Sequence, residues 1–173
     1  MENGKFQIYT GDGKGKTTAA MGLALRAVGA GMKVYIGQFI KDMEYSEIKI
    51  MKSFPQVTVE LYGTGKGCLI FREPDKEDIN CAQQGLEKAC EAMMSGKYDM
   101  VIMDEINVAC SLNLLTPTEL METVKMRPDN VELVFTGRGA TEDIIKLADL
   151  VTEMKEVKHY YRTGLMARDG IER

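Results

Sequence analysis

Short apolar runs alternate with longer stretches that have helical spacing. Residues 101–103 are continuously apolar, which is typical of a strand buried on both faces of a parallel sheet. The alternation predicts an α/β fold with a mostly parallel sheet of about six strands and helices on both faces. The predicted strands are residues 6–10, 34–40, 58–62, 100–104, 133–136 and 150–154.

Four segments carry the apolar spacing or the capping residues of helices. Residues 18–30 are apolar nearly all round, so we expect this helix to be largely buried. A second helix follows Asp75, which is a suitable N-cap. Thr116 opens a third helix with a capping box, and that helix must end before Pro128. The fourth begins near Thr141.

Length and charge exclude several classes of protein. The 173 residues contain no repeat or linker, which predicts a single domain over residues 1–173. The net charge of −4 argues against a nucleic-acid partner. No apolar run is long enough to span a membrane, and the N-terminus does not resemble a signal peptide, so we expect a cytoplasmic protein without a membrane partner. With 4 unpatterned cysteines and 1 histidine, neither a structural zinc site nor a disulfide framework is expected.

A glycine-rich loop between the first predicted strand and helix carries the most chemical information. Glycines allow successive backbone N–H groups to converge on one anion, and the following helix N-terminus adds unpaired donors. Lys16 brings a full positive charge, and Thr17 offers a hydroxyl suited to Mg²⁺. The loop therefore predicts a phosphate-binding site, formed by Thr10, Gly11, Asp12, Gly13, Lys14, Gly15, Lys16, Thr17 and Thr18.

The loop has two other interpretations. The usual eight-residue phosphate-loop pattern begins with glycine, whereas this chain has Thr10 there, so a merely flexible turn stays an alternative. Gly11 and Gly13 match the first two glycines of a dinucleotide-binding fingerprint. The match fails afterwards because Gly15 follows too soon and no further glycine is correctly spaced. The strand before and the helix after the loop favour the phosphate site.

Polar side chains also follow two later predicted strands. Asp104 and Glu105 end a buried strand, where related nucleotide-hydrolysing folds place an acid beside the metal. We expect Asp104 to hold the metal ion or its water, and Glu105 to bind the metal or to orient a water, beside the hydroxyl of Thr17. Arg138 follows another strand in a glycine turn and should face the same crevice, where it could pair with phosphate. Arg26 is unusual in its apolar helix; it either extends to solvent from the core or binds the nucleotide.

Collinear motifs extend over nearly the whole chain, from Gly4 to Glu172. They are YTGDGKGKTTAA at 9–20, RAVG at 26–29, QFIK at 38–41, YDMVIMDEIN at 98–107, TGR at 136–138, ADLVTEM at 148–154, and Lys158, His159, Gly164, Ala167 and 170–172. Together they resemble the ATP:cob(I)alamin (corrinoid) adenosyltransferases of the CobA type. The loop without its first glycine is part of that resemblance.

The resemblance implies a RecA-like P-loop fold and an unusual reaction. Reduced cobalt of a corrinoid attacks the 5′ carbon of ATP, and triphosphate leaves, with the loop holding the phosphates in the reverse of the common direction. Mg²⁺, an electron-donor protein and a homodimer are implied as partners. The expected catalytic residues are Lys16, Glu105 and Arg138. The expected nucleotide-binding residues are residues 10–18, Arg26 and Arg138, and the expected metal ligands are Thr17, Asp104 and Glu105.

The chain departs from the family pattern at two points. Some relatives have aromatic residues after a Thr-Gly pair that help to remove the lower ligand of the cobalt; after Thr64 and Gly65, Phe71 is the candidate substitute here. Some relatives also have an N-terminal extension that covers the site. Few residues precede the first predicted strand of this chain, so we expect the cover to come from elsewhere, such as a partner subunit.

Two alternative functions and one ambiguous residue stay open at the level of sequence. The same fold could serve a nucleoside or small-molecule kinase, or a non-catalytic carrier that binds a corrinoid under control of a nucleotide. His159 is either a surface histidine or, by the resemblance, close to the nucleotide.

Overall fold

The computed structural model describes residues 3–66, 69 and 72–173. The strands are β1 (Phe6–Thr10), β2 (Val34–Phe39), β3 (Val57–Tyr62), β4 (Met100–Asp104), β5 (Glu132–Thr136) and β6 (Leu150–Glu153). The helices are α1 (Lys16–Gly29), α2 (Ser46–Met51), α3 (Lys76–Met94), α4 (Ile106–Ser111), α5 (Pro117–Met126) and α6 (Glu142–Leu147), and a 3₁₀ helix covers Tyr160–Thr163.

The six strands form one sheet in the order β3-β2-β4-β5-β1-β6, and every neighbouring pair is parallel. This arrangement confirms the predicted α/β fold. Because parallel strands all end at the same edge, the loops after β1, β2, β4 and β5 meet there. That edge is the place where the polar residues singled out in the sequence should come together.

Apolar side chains fill both faces of the sheet. Along β4, Val101 and Met103 pack into the cluster formed with α3, α4 and α5. The alternate residue Ile102 packs into a second cluster, formed with α1 and α2. This alternation follows from the two-residue period of a strand. Helices therefore cover both faces, as predicted, and a continuously apolar strand lies between them.

Both capping predictions are confirmed. Asp75 accepts hydrogen bonds from the backbone N–H groups of Glu77 and Asp78, and Asp78 accepts one in return from the N–H of Asp75. Thr116 and Glu119 form the equivalent reciprocal pair at the start of α5. Such boxes satisfy backbone donors that the first helical turn leaves unpaired.

The structure corrects the expectation that the first helix is largely buried. Only one face of α1 packs on the sheet, and Leu25 on the other face is 50% exposed. Apolar residues all round a helix do not bury it unless a second layer covers it, and a sheet covers only one side. The sequence pattern also gave no sign of α2 and α4, because helices of six residues are too short to show a repeating apolar stripe.

No described helix combines the length and the apolar character that crossing a membrane requires.

Two glycines inside helices should respond in opposite directions to alanine. A Cβ on Gly85 would lie 2.5 Å from Cγ of Tyr62, a buried ring whose hydroxyl is held by Glu60. A Cβ on Gly22 would meet nothing within 4 Å. We expect Gly85→Ala to lower the free energy of unfolding by about 1–3 kcal/mol through overpacking. Gly22→Ala should raise it by about 0.5–1 kcal/mol, the ordinary gain in a helix.

Urea unfolding of the two variants, followed by circular dichroism, measures both changes. A Gly85→Ala protein as stable as the unsubstituted chain would contradict the close packing of α3 on Tyr62.

Candidate functional site

The loop between β1 and α1 is packed tightly against the chain that follows β6. Gly11 has φ +92°, and Gly15, the N-cap of α1, has φ +117°. A Cβ on either Gly11 or Gly13 would lie 2.6 Å from the carbonyl oxygen of Met154, and the N–H of Gly13 donates to that oxygen at 2.6 Å. Gly11 is therefore required both by backbone conformation and by this close approach, Gly13 by the close approach, and Gly15 by its backbone conformation.

Lys16 lies inside the loop that it follows. Its side chain is buried, and Nζ donates to the carbonyl oxygens of Gly11 at 2.8 Å and Gly13 at 2.7 Å. Burial lowers the pKa of Lys16, while nearby Glu105 favours its charged form. The ammonium group thus lies inside the loop, where an anion bound by the loop would also contact it.

A fully buried carboxylate, Asp104, is the meeting point of three elements at the sheet edge. Its Oδ1 accepts hydrogen bonds from Oγ1 of Thr17 at 2.9 Å and Oγ1 of Thr136 at 2.6 Å. Its Oδ2 accepts one from Nε2 of Gln38 at 2.8 Å. These donors come from α1, β5 and β2, so the carboxylate is held in one orientation.

Glu105 follows this carboxylate in the chain and has an unusual backbone conformation. It has φ +60°, in the left-handed region that non-glycine residues avoid, and its N–H donates to Oγ1 of Thr136 at 2.9 Å. Burial and the neighbouring Asp104 raise the pKa of Glu105, and the cations Lys41 and Lys16 oppose that shift. Strain of this kind costs of order 1–3 kcal/mol and is concentrated at functional sites.

Lys41 is a site residue that sequence reasoning did not assign. Its Nζ lies 3.7 Å from Oδ2 of Asp104 and 3.7 Å from Oε1 of Glu105. Gln38 was missed as well, although both residues belong to the QFIK motif. The available signal was position: a polar residue at the carboxyl end of a buried parallel strand faces the ligand edge of the sheet.

The donor atoms fit Mg²⁺. The hydroxyl of Thr17 and the carboxylates of Asp104 and Glu105 are hard oxygen ligands. Within residues 3–66, 69 and 72–173, no group of three or more His, Cys, Asp or Glu side chains could hold a metal by itself. Mg²⁺ commonly takes one or two protein carboxylates and completes its octahedron with water and substrate phosphates, so this sparse set is appropriate.

Arg138 lies in the turn after β5, on the same side as the loop. Its side chain is exposed, and its charge acts on both Lys16 and Glu105. It also lines a cleft of about 780 Å³ with His159 and residues of the C-terminal segment. His159 is half-buried there, and its Nδ1 accepts a hydrogen bond from the N–H of Tyr161 at 3.0 Å.

The C-terminal segment contacts the loop through Lys14. Its Nζ donates to the hydroxyl of Tyr160 at 3.0 Å and to Oε1 of Glu172 at 2.8 Å. Arg168, Lys14 and Tyr160 together hold the pKa of Glu172 well below its usual range. Sequence reasoning assigned Lys14 to the nucleotide and did not foresee these partners, which lie 146 and 158 residues away.

The remaining predicted residues lie at varying distances from this centre. Asp12 and Thr18 are exposed on the loop and first turn of α1. Arg26 lies in the last turn of α1 and is exposed. At 1.5 Å per residue it is about 15 Å along the helix from Lys16, so the fold does not bring it to the loop. Phe71 lies outside the described residues.

Two glycines with positive φ allow the cost of backbone strain to be measured separately from the cost of steric overlap. Gly31 has φ +80°, and a Cβ there would meet nothing within 4 Å, whereas Gly11 has φ +92° and the Met154 oxygen 2.6 Å away. We expect Gly31→Ala to cost about 1 kcal/mol of stability for backbone strain alone. Gly11→Ala should cost at least about 1 kcal/mol more, because strain and overlap add. Equal losses in thermal or urea unfolding would refute the close contact with Met154.

Comparison with known proteins agrees with the geometry. Residues 2–173 match the family model for "ATP:corrinoid adenosyltransferase BtuR/CobO/CobP". A corrinoid adenosyltransferase of Sinorhizobium sp is 35% identical over 173 residues, which cover 99% of this chain and 81% of that protein. Those of Pseudomonas aeruginosa and Escherichia coli K12 are each 34% identical over 172 residues, covering 99% of this chain and 84% and 86% of the respective relatives. The chain belongs to the ATP:corrinoid adenosyltransferase family.

Proposed function

We propose that this protein transfers the 5′-deoxyadenosyl group of ATP to the reduced cobalt of a corrinoid. A cobalt–carbon bond forms as the bond between C5′ and the triphosphate oxygen breaks, and that electron pair leaves with triphosphate. Cobalt supplies both electrons of the new bond and is formally oxidised from Co(I) to Co(III). The observation that carries the proposal is the convergence of Lys16, Thr17 and Asp104 at one sheet edge in a chain that matches the family throughout.

The loop and its lysine would bind the triphosphate. Backbone N–H groups at the start of α1 and the buried ammonium of Lys16 provide donors and charge at one place. Arg138, which is exposed and whose charge acts on Lys16, would add a second cation. Preorganised positive charge of this kind stabilises the negative charge that accumulates on a leaving group.

Thr17, Asp104 and Glu105 would hold Mg²⁺ next to these phosphates. When bound, the ion would neutralise charge on the triphosphate oxygens. The chain's own contribution is orientation: Thr136 and Gln38 fix both oxygens of the Asp104 carboxylate, and Thr136 also fixes the backbone of Glu105.

The proposed reaction does not need a general base, because the nucleophile is a reduced metal and carries no proton to remove. A sequence with 1 histidine is sufficient for it. The 5′ carbon must face outward to meet a macrocycle as large as a corrinoid, so we propose the reversed phosphate direction that the family resemblance implies. The open cleft beside Arg138 gives such a substrate a side of approach.

We further propose a homodimer, an electron-donor protein and a cytoplasmic location. The dimer is supported by exposed apolar side chains on and after β6, where Leu150 is 44% and Val157 88% exposed. A partner subunit on this side would also cover the site. Cys81, Cys90 and Cys110 are free thiols, which suits a reducing compartment.

A direct assay tests the function. Protein, Mg-ATP and chemically reduced corrinoid should yield adenosyl–cobalt, seen by its visible spectrum, together with an equal amount of triphosphate, seen by phosphorus NMR. ADP and phosphate as the products would instead support the kinase alternative. Corrinoid binding without either product would support the carrier.

Lys16→Ala should reduce adenosylation by at least about 100-fold, since it removes the buried positive charge inside the loop. Corrinoid binding, measured by spectral titration, should stay unchanged. Lys52→Ala is the matched control, because Lys52 is a surface lysine paired with Glu44, and it should keep full activity. A Lys16→Ala protein with normal turnover would contradict the role of the loop.

A further inference from the structure

Lys41 lies within ion-pair distance of both carboxylates of the site. Its ammonium lies 3.7 Å from an oxygen of Asp104 and 3.7 Å from one of Glu105. The Asp104 side chain has no exposed surface and that of Glu105 is 22% exposed, so water screens neither charge well. Two poorly hydrated carboxylates side by side repel each other unless a cation lies between them.

The backbone at Lys41 is held in place by the neighbouring strand and loop. Gln38 on β2 pairs in register with Asp104 on β4, and the chain then turns at Ile40, whose φ is +70°. A Cβ on Gly63 would lie 2.5 Å from the backbone carbon of Lys41, so the neighbouring loop closes on it. Movement at this position is therefore movement of the flexible lysine side chain.

Opposite charge holds Lys41 in this position. Its ammonium group contacts both carboxylates at once, so removing it would leave two neighbouring negative charges uncompensated.

A second set of partners lies on the other side of the ammonium. Its Nζ is 5.5 Å from the centroid of the Tyr45 ring, and the charge of Glu47 also acts on Lys41. Both residues belong to the start of α2. An aromatic face and a nearby carboxylate can hold an ammonium group that leaves the site.

We propose that Lys41 and a divalent cation compete for the Asp104–Glu105 pair, and that metal binding moves the ammonium towards Tyr45 and Glu47. This inference rests on the proposed metal site. Its consequence is selectivity: Lys41 weakens the binding of a bare divalent ion and favours one that arrives with a triphosphate, whose negative charge compensates the displaced cation. Lys41 is in this sense a positioning residue.

The first test measures Mn²⁺ binding by electron paramagnetic resonance, without ATP or corrinoid. Lys41→Met should bind Mn²⁺ about tenfold more tightly than the unsubstituted protein, because the competitor is gone. Lys41→Arg keeps the charge and should bind as weakly as the unsubstituted protein. Lys52→Met removes a lysine that pairs with Glu44 at the surface and should change nothing.

The second test needs no variant and decides the matter should Lys41→Met fail to fold. Acetylation of lysines, read by mass spectrometry, should be slow at Lys41 and should rise several-fold when Mn²⁺ is added, whereas Lys52 should react equally in both conditions. Unchanged reactivity of Lys41 overturns the proposal, as does a folded Lys41→Met protein that binds Mn²⁺ no more tightly than the unsubstituted chain.

These outcomes are separate from the proposed function. A protein that shows the competition but forms no adenosyl–cobalt keeps the inference and loses the function. An active protein without the competition loses only the inference.

Discussion

The buried Asp104 carboxylate is the constraint on which the arrangement of the sheet edge depends. An ionised group without access to water is tolerated only when hydrogen bonds and opposite charge replace its hydration. Here three donors, on Gln38, Thr17 and Thr136, and the ammonium of Lys41 meet that demand. Since they come from β2, from the turn after it, from α1 and from β5, one charge determines the relative positions of four parts of the chain.

The sequence was most informative where one physical signal dominated. Short apolar runs located the strands to within about one residue, and the capping residues Asp75 and Thr116 located the starts of α3 and α5. The rule that parallel strands end at a common edge was enough to expect Thr17, Asp104 and Arg138 on one side of the sheet. Short helices and the one-sided burial of α1 were less accessible, because they depend on which surfaces meet in three dimensions.

Partners that lie far apart in sequence were the main omission. Nothing in the local pattern around Lys14 indicates Tyr160 or Glu172, and nothing around Lys41 indicates that it lies between two acids. The loop glycines show the same limit. The sequence explains them by phosphate binding alone, whereas the structure shows that a Cβ on Gly11 or Gly13 would lie 2.6 Å from the carbonyl oxygen of Met154.

The position of β1 between β5 and β6 has a consequence for the folding of the newly synthesised chain. The loop that follows β1 packs against Met154. Lys14 in that loop donates a hydrogen bond to Glu172, which lies 158 residues later in the chain. During translation, the glycine loop is therefore synthesised long before β6 and Met154, the parts of the chain against which it packs. Only a chain folded through β6 presents the assembled loop.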